Sequence, residues 1–295
     1  MKHASSWQDF KRAVPFLIPA CSFYALFYVV PAAVAVVLSL YKWNGLAATA
    51  TFTGLSNYIA VLQSSLFWKS VVINLEVVVV SLLLQLSVAL VLAALLMHAG
   101  RLMRLYRSLF FIPQVLSLVA VGMLWQMIYD PANGLLDGVL RSIGLHSIPW
   151  LGTPKNALVS MLITTTWVYF GFHTVLQMAG RAAIPNDLYE AAYLETKAAI
   201  TVFFYVTLPL LRETILISAI MIVTGSFALL MGLFWIMTEG GPAHGTEILG
   251  IHMYVQAFKS YRLGYASSIA VVMVIFLMIS VTGIIALFSR ERVEY

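Results

Sequence analysis

Glu190, Glu195 and Lys197 fall within eight residues of one internal stretch, "YEAAYLETKAAITVFFYVTLPLL", running from Tyr189 to Leu211. The chain around it is 295 residues long, 61% hydrophobic and only 10% charged, so charge is concentrated here against the general trend. Residues of these types can cap a helix and offer a polar handle to water or to another protein. In "IPNDLYEAAYLE", Pro185 leads, Asn186 or Asp187 can cap, and Glu190 falls three residues after Asp187 in capping-box spacing. Acidic side chains in a first turn also suit the positive end of a helix. Ala191 and Ala192 leave a small, smooth surface that a second protein can approach closely. After Lys197 the pattern becomes "ITVFFYVTLPLL", a second helical piece able to lie along a membrane surface, and Pro209 restarts the chain into the next apolar run. The expected shape is a short amphipathic elbow. The simpler alternative is a loop whose charges keep it in water.

Other reactive constellations are missing. No G-x-x-x-x-G-K-[ST] phosphate loop occurs, nor H-E-x-x-H, nor a Cys/His cluster with zinc spacing. Cys21 is the single cysteine, so no intrachain disulfide can form.

The elements that must position the charged stretch follow from composition. An ordinary soluble domain is about 45–50% apolar and about 25% charged, whereas a mean hydropathy of +0.93 leaves too little polar surface to clothe a globule in water. A bilayer core takes about 20 apolar residues per helix, and six stretches qualify, at about 14–40, 70–97, 108–129, 156–179, 208–237 and 264–288. Helices satisfy their own backbone polar groups, which lipid cannot do. Pro19, Pro31, Pro113 and Pro209 imply kinks or helix starts. The first apolar run is too long for a signal-peptide core and has no evident small-residue cleavage site, so it reads as an uncleaved span.

The net charge of +5 does not indicate nucleic acid, because the basic residues sit at the ends of apolar runs, facing lipid headgroups. With the N-terminus inside, Lys2, Lys11, Arg12, Arg101, Arg104, Arg107, Arg181, Lys197, Arg212, Arg290 and Arg292 fall on the cytoplasmic side, eleven of the seventeen Lys and Arg residues. The expected fold is an all-α polytopic membrane protein with six transmembrane helices, both termini cytoplasmic, and the charged loop (about 180–209) inside, between spans four and five. Residues 1–295 read as one transmembrane domain. The outer segments, 41–69, 130–155 and 238–263, carry turn formers and the belt tryptophans Trp43, Trp68 and Trp150.

The stretch "EAAYLETKAAITVFFYVTLPLL" closely resembles the EAA loop of binding-protein-dependent ABC importer permeases, of the maltose-type, carbohydrate-transporting branch. Glu190, Ala191, Ala192, Leu208 and Pro209 fall in register with that family's pattern. "FTGLSNYIAVL", "LYRSLFFIPQVLSLVAVGMLWQMIYDPANGLL" and "MTEGGPAHGTEILGIHMYVQAFKSYRLGYASSIA" extend the likeness, in order, over nearly the whole chain. Where the family has Asp-Gly-Ala, this chain has Glu195, Thr196 and Lys197. Thr at a glycine position leaves two possibilities, a turn with ordinary dihedrals or a strained loop.

The resemblance implies a transport subunit, not an enzyme, in a bacterial or archaeal plasma membrane. Its implied partners are a second homologous permease, a cytoplasmic ATPase dimer that binds the ATP and Mg, an extracytoplasmic sugar-binding protein and membrane lipid. This chain itself would hold no cofactor or metal. Asp187, Glu190, Ala191, Ala192, Glu195, Thr196, Leu208 and Pro209 would couple to the ATPase, with Glu190 as polar anchor. A sugar path needs hydroxyl-matching groups and aromatic faces, and the candidates are Trp167, Tyr169, Gln177, Thr224, Ser226 and Phe227. Gly240, Gly241 and Pro242 would form a tight, exposed external turn facing the binding protein. Of the other polar residues in spans, Glu76 marks a functional site or a snorkelling side chain, while Gln85 and His173 read as hydrogen-bonding glue between helices. A glycerol-phosphate compound is the alternative cargo. A membrane-embedded transferase would need a catalytic cluster that the sequence does not offer, and a channel or scaffold would leave the EAA register a coincidence.

Overall fold

The computed structural model describes residues 3–96 and 103–288. Lys2, Arg101, Arg290 and Arg292 of the orientation tally lie outside the described residues, and the side chains of Lys11, Arg12 and Arg104 are likewise undescribed. The chain divides into two units, Met1–Ser64 with Met253–Val272, and Ser65–His252 with Met273–Tyr295.

In the first unit, α1 (His3–Tyr24) continues through a five-residue π-helical turn, Ala25–Val29, into α2 (Val30–Leu38). The wide turn lies just ahead of Pro31, where the missing N–H and the ring would otherwise break an α-helical ladder. Two-residue strands β1 (Tyr41–Lys42) and β2 (Thr51–Phe52) pair antiparallel, with Tyr41 opposite Phe52, and α3 (Ser56–Gln63) follows. The Asn57 amide donates to the carbonyls of Ser39 (2.8 Å) and Tyr41 (2.9 Å), locking the end of α2 to the hairpin.

The second unit holds α4 (Ser65–Leu96), α5 (Met103–Val115), α6 (Leu118–Ile128), α7 (Leu135–Ser142), α8 (Pro154–Ala183), α9 (Asn186–Glu195), α10 (Ala199–Val202), α11 (Leu208–Leu210), α12 (Arg212–Ala228) and α13 (Leu230–Thr238). Two further helices, α14 (Leu249–Tyr254) and α15 (Leu263–Phe288), complete the described chain. Among the described residues, four helical segments are long and apolar enough to cross a membrane, Val14–Leu38, Ser65–Leu96, Pro154–Ala183 and Leu263–Phe288, and six if each of two bent pairs is one span.

The 108–129 run is sharply bent, in the span where Pro113 implied a kink. Helix α5 meets α6 at 96°, because Pro113 removes a backbone N–H from the last turn of α5 and Ser117 is extended (φ −58°, ψ 130°). The 208–237 run is interrupted too. Residues 199–210 meet α12 at 69°, and α12 gives way to α13 at Leu229.

Helix α4 packs along α8 and α12, α5 on α8, and α6 on α13. Lipid tails are as apolar as leucine, so close approach and interhelical hydrogen bonds carry this packing. A Cβ on Gly171 of α8 would strike the Phe110 carbonyl of α5, and one on Gly180 would strike the Thr214 side chain. The Gln126 amide donates to the Ile236 and Met237 carbonyls at 2.9 and 3.1 Å, and the Tyr129 hydroxyl donates to the Ser160 carbonyl at 3.0 Å. Each donor thereby binds α6, or the residue just after it, to a neighbouring helix.

Candidate functional site

The charged loop is an elbow of two helical pieces. Pro185 occupies the cap position of α9 (φ −56°, ψ 137°), and no side chain caps the helix. The expected capping box is therefore absent: Asn186 and Asp187 are already helical, leaving Asp187 as an acid in the first turn. Tyr189 is buried, with the Arg181 guanidinium 3.1 Å from its ring centre, which ties α9 to the end of α8. Glu190, Ala191, Tyr193, Leu194 and Glu195 are exposed, Ala192 is half-buried, and Leu194 is 89% exposed. A leucine so bare beside a carboxylate and a small alanine makes a surface suited to another protein.

Thr196 settles the question its sequence raised. It is extended (φ −144°, ψ 136°), so it carries no left-handed penalty, and its hydroxyl accepts from the Ala198 N–H at 3.2 Å. Lys197 is exposed. Beyond α10, a π-helical turn at Phe203–Thr207 leads into α11, where Leu208 is half-buried and Pro209 exposed. The direction changes at Leu211, two residues after the proline expected to mark it. Ile200, Phe204 and Tyr205 are exposed, whereas Val202 and Thr207 are buried.

A cavity of about 160 Å³ lies among α4, α5, α8 and α12, lined in part by Gln85, Gln114, Tyr169, His173 and Ser226. Tyr169 and Ser226 are thus brought together as expected of path residues. Gln85 and His173 face the same space, although the sequence suggested interhelical glue. The His173 Nδ1 and the Gln114 Oε1 are buried without a hydrogen-bond partner among the described residues. Gln114 was missed, because a lone amide one residue from a helix end carries no periodic signal. The other candidates lie elsewhere. Gln177 donates to the Ser218 hydroxyl at 2.9 Å, the Trp167 ring stands edge-on to Trp125 at 5.6 Å, Phe227 is buried in the core, and Thr224 is exposed. Glu76 lies on the exposed face of α4, away from the cavity.

The turn expected on the outer side is tight but not all exposed. Gly240 is buried at φ 85°, where a Cβ would meet Glu247 and Ile251, while Gly241 and Pro242 are half-buried across a cis peptide bond. Ala243 and His244 form the exposed tip instead. Beneath them, the buried Glu247 carboxylate binds the Nδ1 atoms of His244 and His252, the latter at 2.7 Å. Burial pushes the Glu247 carboxyl up, but the hydrogen bonds from His252 and His244 outweigh it and hold the group below its ordinary value. On the 130–155 segment, the hydrogen bond from Ser147 likewise holds the buried Asp137 carboxyl down, against its burial, helped by the Ile148 N–H.

Residues 85–294 match the family described as "Binding-protein-dependent transport system inner membrane component". The chain is 35% identical over 266 residues to the probable ABC transporter permease protein YurN of Bacillus subtilis, covering 88% of this chain and 90% of that protein. It is 31% identical over 262 residues to the trehalose/maltose transport system permease protein MalF of Thermococcus litoralis, covering 88% and 86%. Its fold matches a chain in the crystal structure of a bacterial alginate ABC transporter in complex with an alginate pentasaccharide-bound periplasmic protein, with a TM-score of 0.83 and 18% identity over 96% of this chain and 97% of that one. The chain belongs to the binding-protein-dependent transport system inner membrane components, the permease subunits of ABC transporters.

Proposed function

We propose that this permease is one of two transmembrane subunits of an ATP-driven importer for a sugar or related carbohydrate. It works as a single six-span domain with both termini in the cytoplasm, beside a second homologous permease, an ATPase dimer and an extracytoplasmic binding protein. The carbohydrate reading is supported by the trehalose/maltose permease among its relatives, and the binding-protein partner by the periplasmic protein in the alginate transporter complex. The observation that carries the proposal is the exposed face of α9, with Glu190, Ala191 and Leu194 turned outward while Tyr189 is buried against Arg181.

In this reading the partner ATPases hold ATP and Mg, close on them, and push α9. Glu190 anchors the contact, Ala191 and Ala192 permit close packing, and Asp187, Glu195, Thr196, Leu208 and Pro209 shape the elbow. The 69° bend at Leu211 hands the displacement to α12, which carries Ser226 at the cavity. Amides, an imidazole and a phenol there match the hydroxyls of a sugar. Gly240, Gly241 and Pro242 brace the outer loop whose tip meets the binding protein.

Glu190→Arg tests the proposal. The variant should insert normally but dock its ATPases weakly, so that sugar uptake and sugar-stimulated ATP hydrolysis fall at least ten-fold in proteoliposomes, since a reversed charge at a contact costs several kcal/mol. Uptake at the unmodified rate would overturn the coupling role.

A further inference from the structure

A cavity of about 420 Å³ opens in the Met1–Ser64, Met253–Val272 unit. Its lining includes Lys42, Trp43, Asn57, Tyr261, Arg262 and Tyr265. Between residues 14 and 64 and between 253 and 272 the sequence has no Asp or Glu, and its Lys and Arg residues are Lys42, Lys259 and Arg262. Two of those three cations line this one cavity, with no carboxylate in those segments to quench them. Helix α15 begins at Leu263, between Arg262 and Tyr265, so its positive end adds to the same field.

The Trp43 side chain and the backbone around Tyr261 are held in place. The Trp43 indole N–H donates to the Ala47 carbonyl at 2.8 Å, and the Asn44 Oδ1 accepts from the Leu46 and Ala47 N–H groups at 3.0 and 2.8 Å. Tyr261 is in the left-handed region (φ 50°), unusual for a bulky residue, and it persists because Arg262 N–H is bonded to the Gln256 carbonyl at 2.8 Å. The Arg262 guanidinium lies 4.3 Å from the Tyr265 ring centre, which orients its donor fork. The Gly264 N–H donates to the Trp43 carbonyl at 3.1 Å, joining the two halves of the lining.

We infer that this pocket is a saccharide subsite selective for acidic sugars. The guanidinium of Arg262 takes a sugar carboxylate, the Lys42 ammonium adds charge, and the Trp43 and Tyr261 faces pack against pyranose rings. Cations alone would hold any anion, whereas fixed aromatic faces in a space within the range of small-molecule sites favour a ring-shaped, hydroxylated one. On the proposed topology the pocket lies on the outer side, where a saccharide arrives. The inference rests on the carbohydrate reading above.

The test is calorimetric titration of the whole transporter complex in nanodiscs, without binding protein or nucleotide. The probes are a galacturonate disaccharide, a neutral disaccharide, acetate and glycerol phosphate. The galacturonate disaccharide should bind, with affinity falling as salt rises, and the others should bind at least ten-fold more weakly. Arg262→Gln and Lys42→Gln should each weaken galacturonate binding roughly ten-fold, the size of one charge-assisted hydrogen bond. Arg262→Lys, which keeps the charge but loses the fork, should still weaken it several-fold and covers the case in which Arg262→Gln fails to assemble. Equal binding of the neutral disaccharide, equal binding of acetate or glycerol phosphate, or unchanged affinity in these variants would overturn the inference. So would a requirement for Arg262 in binding-protein docking without any galacturonate binding. If galacturonate does not bind while a sugar still stimulates ATP hydrolysis, the subsite falls and the importer reading stands. If it binds while no sugar stimulates hydrolysis, the importer reading falls instead.

Discussion

The Arg181 guanidinium, at the end of α8, lies 3.1 Å from the ring centre of Tyr189 in α9. This contact fastens α9 to the end of the long apolar helix α8, since a partly desolvated cation–π pair is worth about 2 kcal/mol. Arg181→Gln and Tyr189→Ala should each reduce coupled ATP hydrolysis, and a double-mutant cycle on thermal stability in detergent should return about 1–2 kcal/mol of interaction. Additive effects would show that the contact carries no energy of its own.

Thr196→Gly restores the residue that the resembling family has at this position. Because Thr196 is extended and its hydroxyl accepts from the Ala198 N–H, glycine brings only backbone freedom. Stability should fall by about 0.5–1 kcal/mol, and sugar-stimulated hydrolysis should not rise. A gain in coupling would mean that the working loop visits a conformation different from this one.

Gly171→Val drives a side chain into the Phe110 carbonyl and should destabilise the α5–α8 pair by at least about 1–3 kcal/mol. Gly138→Ala, on α7 with no atom within 4 Å of the added Cβ, should instead be neutral or stabilise by up to about 1 kcal/mol. Thermal unfolding of the two variants in detergent separates close approach from helix propensity.

The Glu247 carboxyl is held below its ordinary value, so its unfolded-state pKa is the higher of the two. Its stabilising contribution is therefore complete above the unfolded value of about 4.3 and is lost as pH falls through the folded one. Hydrogen exchange should show residues 240–250 protected at pH 7 and progressively less so in acid below that value. In Glu247→Gln, protection should already be reduced at pH 7 and should change less with acid.

The long helices were legible because twenty or more apolar residues in a row leave little choice of structure in lipid: α4 and α8 lie within five residues of their expected bounds. The breaks were less so. Pro113 announced a disturbance, but the direction changes at Ser117, where the backbone becomes extended. The capping box at Asp187 failed because Pro185 takes the cap position, one residue before Asn186 and two before Asp187. The buried Gly240 could not be foreseen, because a Gly-Gly-Pro run signals a turn without saying which side faces the protein. The Glu247 cluster was hidden for a related reason. Its histidines sit at spacings of three and five, which match no single helical or strand period, and the loop before Glu247 carries Ala243 and His244 in the left-handed region. In the membrane cavity, Tyr169 and Ser226 were readable by type, whereas His173 and Gln85 could equally have bonded to a neighbouring helix.

Both wide turns in the lead-in segments, Ala25–Val29 ahead of Pro31 and Phe203–Thr207 ahead of Pro209, hold one residue more than an α-helical turn allows. One residue corresponds to about 100° of rotation about a helix axis. The turn at Phe203–Thr207 therefore sets the azimuth of everything downstream relative to α9. Deleting a single residue from it would leave the elbow's reach almost unchanged but would swing Ser226 away from the cavity. The register between α9 and the lining helix α12 is thus an angular phase, stored in the Phe203–Thr207 turn ahead of the bend at Leu211.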